Sequence, residues 1–129
     1  MTPKKILLID DSEIDNFIHK TLLKKVNVPL EIHTETSAQA ALTYLKSIGD
    51  REANFPDILF LDIRMPQMDG FEFMEHYHGL PKACREKCTV YMLSSSLDPT
   101  DLERSKNYIS ASHHLTKPLA HHPLEKLIA

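Results

Sequence analysis

Five side chains in this sequence have the right types to act together: the adjacent acids Asp10 and Asp11, a third acid Asp62, the hydroxyl of Ser94 and the ammonium of Lys117. Each closes a strand-like run, in KKILLIDD, FPDILFLD, TVYMLS and SHHLTK. Three carboxylates on neighbouring strand ends repel one another, each pair by roughly 3 kcal/mol at about 5 Å and an effective dielectric near 20. A hard divalent cation offsets that repulsion. Mg2+ takes oxygen ligands, keeps several waters and binds through one or two carboxylates beside a phosphate. A carboxylate can also attack phosphorus and form an aspartyl phosphate. Phosphoryl transfer needs charge neutralised on the equatorial oxygens, a task that suits a metal, a lysine and a hydroxyl donor.

The elements that must position these groups can be read along the chain. Ile6–Ile9 and Ile58–Leu61 are short, unbroken apolar runs ending in acids, as expected of strands buried on both faces of a parallel sheet. Thr89–Leu93 is a third such strand, and it runs into Ser94-Ser95-Ser96. Leu30–Glu35 alternates weakly and Ser112–Thr116 is mostly polar, so both suit sheet edges.

Helical patterns fall between the strands. Ser12 with Asp15 makes a capping-box-like start, and Ile14, Phe17, Ile18, Thr21 and Leu22 form one stripe of a helix reaching about Val26. Ser37 caps a helix with the stripe Ala38, Ala41, Leu42, Leu45 and Ile48, and Gly49 stops it. A helix from about Phe71, with Phe71 and Met74 inward, is broken by Gly79 and Pro81. Asp98-Pro99 starts another, on which Leu102, Ser105, Lys106 and Ile109 share a face. A short last helix from near Pro123 buries Leu124, Leu127 and Ile128.

Five strands alternating with five helices predict an α/β fold, a doubly wound five-stranded parallel sheet with helices on both faces. The flavodoxin-like order 2-1-3-4-5 puts the three apolar strands inside and the two weak ones at the edges. Ligands of such sheets sit beyond the carboxyl ends of the strands, where that order gathers Asp10, Asp11, Asp62, Ser94 and Lys117.

At 129 residues the chain is expected to form one domain, residues 1–129, with no room for a separate effector domain. Fifteen basic against eighteen acidic residues argue against a nucleic-acid surface. No apolar run suggests a signal peptide or a membrane span, so the expected location is cytoplasmic. Cys84 and Cys88, in CREKC, read as reduced thiols, and the eight histidines include no HExxH spacing.

The motifs IDDSE, LDIRMPQMDG, LSSS and TKPL, in this order and spacing, make the chain resemble a receiver domain of the two-component response regulators. The likeness covers essentially its whole length and is to the stand-alone, chemotaxis-regulator-like kind. The resemblance implies that Asp62 accepts a phosphoryl group from the phosphohistidine of a sensor histidine kinase or histidine phosphotransfer protein. It implies Mg2+ on Asp11 and Asp62 with the backbone carbonyl of Arg64, Asp10 acting mostly through water, Lys117 pairing with the phosphoryl group and Ser94 swinging to hydrogen-bond it. It also implies a cis Lys117-Pro118 bond. Output would pass to a downstream protein, in some members a second copy, through the Asp98–Ser110 helix, the Ser112–Thr116 strand and the last helix, with Tyr108 and Ile109 as candidate contacts. Neither membrane nor nucleic acid is an expected direct partner.

Two departures from the family's usual pattern involve three positions. His114 stands where Tyr or Phe is usual as the switch residue, and its charge can change near neutral pH. Arg64 and Ser96 occupy positions that modulate attack of water on the acyl phosphate, and Arg64 is expected to shield or pair with phosphoryl oxygens. Two other readings stay open: a degenerate receiver that binds partners without phosphorylation, and a Mg2+-dependent aspartyl-phosphate phosphatase. The phosphatase would want an Asp-x-Asp, which Asp62-Ile63-Arg64 does not supply. On the main reading the protein is a phosphoacceptor rather than an enzyme.

Overall fold

The computed structural model describes residues 2–95 and 98–128. Its five strands are β1 (Lys4–Ile9), β2 (Leu30–Glu35), β3 (Ile58–Asp62), β4 (Thr89–Ser94) and β5 (His114–Thr116). All pair in parallel, in the order β2-β1-β3-β4-β5. The expected order holds for a simple reason: every residue of β3 is buried, whereas β2 at one edge is half-buried. Side chains on β3 alternate between two cores. Leu59 and Leu61 join the core under the helices of one face, and Ile58 and Phe60 join the core of the other.

Among the described residues there are six α-helices: α1 (Glu13–Lys24), α2 (Ala38–Ile48), α3 (Gly70–Tyr77), α4 (Lys82–Lys87), α5 (Pro99–Ser105) and α6 (Leu124–Ile128). The sequence reading expected five. Gly79 and Pro81 do end α3, but the chain turns helical again at once, with Pro81 as the N-cap of α4 and Cys84 buried beneath it. CREKC thus ends a six-residue helix, with Cys84 buried and Cys88 packed on the same core, and is too short to show apolar periodicity.

The second correction concerns α1. Most of its predicted apolar stripe faces outward: Ile14 is 72% exposed, Phe17 70% and Ile18 44%, while Leu22 packs against one core. The residues it buries are Asn16, His19 and Leu23. The Asn16 side-chain amide donates to the backbone carbonyls of Asp10 and Glu35, both at 3.1 Å, and so ties α1 to the ends of β1 and β2. In α2, by contrast, Ala38, Ala41, Leu42, Leu45 and Ile48 are all buried as expected. Phe71 and Met74 point inward from α3, and Ile128 of α6 is buried. No helix of the described residues is long and apolar enough to cross a membrane.

Candidate functional site

The register of the sheet brings the five groups together. Ile9 pairs with Leu61, so Asp10 lies beside Asp62; Asp62 pairs with Leu93, so Ser94 comes next; Ser94 pairs with Thr116, so Lys117 follows. The Lys117 backbone N–H donates to the Ser94 carbonyl at 2.8 Å, and the Lys117-Pro118 peptide bond is cis.

Local chemistry fixes each strand tip. Ser12 caps α1 by accepting from the Asp15 N–H at 3.1 Å, while its own N–H donates to Asp10 Oδ1 at 3.0 Å. One carboxylate oxygen of Asp10 is thereby held. The other lies 2.6 Å from Lys117 Nζ. After β3, Asp69 caps α3 by accepting from the Glu72 N–H at 2.9 Å. Gly70 donates its N–H to the Ile63 carbonyl at 2.8 Å, and a Cβ there would stand 2.8 Å from the Asp62 carbonyl oxygen. The Asp-Gly pair therefore does two jobs: Asp69 starts the helix, and Gly70 lets that helix begin against the backbone of Asp62.

Asp10 and Asp62 are buried and Asp11 is exposed, yet one oxygen from each lies within 4.8 Å of the others. Lys117 Nζ faces this cluster, 3.6 Å from Asp62 Oδ1. Burial, Asp10 and Asp11 raise the Asp62 pKa from 3.8 to about 7, against the lowering pull of Lys117 and the Arg64 backbone N–H. Burial opposes the charge of Lys117, but Asp10, Asp62 and Asp15 outweigh it and hold its pKa above the usual value. Three oxygen donors that cannot all ionise cheaply, open to solvent on the Asp11 side, fit a hard divalent cation.

Ser94 is buried, and its Oγ lies 3.0 Å from His114 Nε2. His114 Nδ1 lies 3.1 Å from Ser105 Oγ. Burial lowers the His114 pKa from 6.5, against a raising pull from Asp101, so the ring is neutral at pH 7. The Arg64 guanidinium turns to Asp101 at 2.5 Å and to Asp98 at 3.7 Å, at the start of α5. Tyr108 donates to Glu75 Oε1 at 2.5 Å and, with Ile109, packs on the core. Ser96 lies outside the described residues.

Sequence reasoning missed three participants. Asp15 looked like a capping partner, but its carboxylate reaches Lys117 Nζ at 3.0 Å. Asp101 is buried and holds Arg64. Ser105, fully buried, holds His114. Only Ser105 carried a signal in the sequence, as a polar residue on the helix face it shares with Leu102 and Ile109.

Residues 6–129 match the response regulator receiver domain. The chain belongs to that family. Among solved structures, the response regulator receiver protein from Dyadobacter fermentans is 37% identical, with a TM-score of 0.81 over 96% of this receiver and 94% of that chain. The Mn2+-bound form of response regulator Rcp1 superposes with a TM-score of 0.71 at 25% identity, over 98% of this chain and 89% of that one. A curated relative, protein-glutamate methylesterase/protein-glutamine glutaminase 2 of Pseudomonas syringae pv. tomato, is 31% identical over 122 residues. That match takes in 92% of this receiver but 31% of the length of the methylesterase.

Proposed function

We propose that this receiver is a phosphorelay switch in which Asp62 takes a phosphoryl group from the phosphohistidine of a sensor histidine kinase or histidine phosphotransfer protein. The observation that carries this reading is the convergence of Asp10, Asp11, Asp62 and Lys117 on one hollow at the carboxyl edge of the sheet. An Asp62 carboxylate oxygen attacks phosphorus as the donor's N–P bond breaks. Lys117 moves its charge onto the phosphoryl oxygens, and Ser94 donates a hydrogen bond to one of them. Asp10, Asp11, Asp62 and the Arg64 carbonyl would hold Mg2+, and bound Mg2+ supplies the positive charge that lets the acids ionise and the transferring oxygens approach them. The Mn2+-bound relative supports that assignment.

The donor must bring its phosphorus to Asp62 and so covers the rim of the hollow. Asp15 of α1 reaches Lys117, and the same helix exposes Ile14, Phe17 and Ile18. This apolar face is assigned to the donor. Output leaves through α5, β5 and α6 to a downstream protein or a second copy, as a difference in affinity for two surface conformations. Arg64, bound to Asp101, links the acceptor loop to α5 and modulates the lifetime of the acyl phosphate. The reading places the protein in the cytoplasm and gives it no turnover of other phosphate esters.

Incubation with acetyl phosphate and Mg2+, followed by intact-mass measurement, tests the reading. Wild type should gain one phosphoryl group and Asp62→Asn none. Equal labelling of both, or of neither, would refute it.

A further inference from the structure

The hydrogen bonds behind Ser94 have a direction that donor and acceptor counting settles. Ser105 Oγ lies 2.8 Å from the backbone carbonyl of Leu102, which can only accept, so the one hydroxyl proton of Ser105 is donated there. Toward His114 Nδ1, 3.1 Å away, Ser105 is left with lone pairs, and Nδ1 must carry the proton. A neutral imidazole protonated at Nδ1 has a bare Nε2. Ser94, 3.0 Å from that nitrogen, must therefore donate its own hydroxyl proton to it.

We infer that Ser105 is a positioning residue: by fixing His114 in its Nδ1–H form it commits the Ser94 proton to His114 and away from the phosphoryl position. The consequence rests on the phosphoacceptor reading above. A phosphoryl group accepts only, so Ser94 can serve it only by withdrawing its proton from His114. The bare Nε2 of His114 then loses its donor, and the 3.0 Å hydrogen bond between Ser94 and His114 is broken. Ser105 thus sets occupation of the acceptor against the hydrogen bond between Ser94 and His114. Without its hydroxyl, His114 can carry its proton on Nε2, donate to Ser94 and stay in place while Ser94 serves the phosphoryl group.

The test is long-range proton–nitrogen correlation on histidine-labelled protein, with the His114 signals assigned by their loss in His114→Phe. Free wild type should show His114 as the Nδ1–H tautomer. Ser105→Ala should move it to Nε2–H and tighten binding of beryllofluoride with Mg2+ by about fivefold to tenfold, the scale of one hydrogen bond no longer broken. Ser105→Thr, which keeps the hydroxyl, should restore both wild-type results. On adding beryllofluoride the His114 ring signals should shift in wild type and stay in Ser105→Ala. An Nε2–H tautomer in free wild type overturns the inference, as does a Ser105→Ala variant with unchanged tautomer and affinity. Failure of beryllofluoride to bind wild type would refute the phosphoacceptor reading instead, and the tautomer measurement would still decide the role of Ser105.

Discussion

Helices α1 and α2 carry apolar stripes of similar strength in the sequence, and the fold uses them in opposite ways. The stripe of α2 is the floor of a core, with Ala41 and Leu45 fully enclosed. That of α1 mostly faces water, with only Leu22 on the core, and the helix is held by the Asn16 amide on two strand-end carbonyls, by Leu23, and by Asp15 on Lys117. The difference teaches that a periodic apolar face marks a surface to be covered without saying what covers it. In α2 the cover is the rest of the chain. In α1 the proposed cover is a donor protein.

This contrast can be broken by experiment. Leu45→Ala should remove about 2–5 kcal/mol of stability, measured by urea unfolding, because a fully enclosed leucine leaves a cavity. A loss under about 1 kcal/mol would mean that α2 is not the anchor described.

The polar side of the contrast has a pH signature. In metal-free protein the Asp62 pKa is raised from 3.8 to about 7, so between those values the folded chain holds a proton that the unfolded chain has released. Stability should therefore fall as pH rises through that window and stay low above it. Asp62→Asn should then stabilise the metal-free protein at pH 8 by at most about 4 kcal/mol, with the gain vanishing near pH 4. Thermal unfolding in a chelator reads this directly, and Mg2+ should raise the Tm of wild type at pH 8 more than that of Asp62→Asn.

Asn16→Ala strips a donor from one buried and one partly buried carbonyl and should cost about 1–3 kcal/mol, more than its small apolar contact would suggest. The smallest effect on stability is expected at Phe17. Phe17→Ser should shift unfolding by no more than about 0.5 kcal/mol and leave labelling by acetyl phosphate unchanged. It should slow transfer from a phosphohistidine donor. If it unfolds the protein, the α1 face is structural after all; if transfer is unaffected, the donor docks elsewhere.

The frame of the site was legible because it depends on strand ends. Unbroken apolar runs ending in Asp10, Asp62 and Ser94 predict both the buried strands and the edge where the acids meet, and the match of TKPL placed Lys117. What stayed hidden depends on distances across the fold. The reach of Asn16 to Glu35 follows from the register of β1 on β2, and the pairing of Arg64 with Asp101 joins residues 37 apart. Ser105 is one serine among many until β5 sets His114 against it.

Gly70 has a consequence of its own. With a Cβ there due to stand 2.8 Å from the Asp62 carbonyl oxygen, α3 and the strand tip are seated against each other with no clearance for even a methyl group. The seating of the Asp62 backbone thus depends on a residue that contributes no atoms beyond the main chain. A saturation library at position 70 should be close to empty of functional substitutes, whatever their polarity.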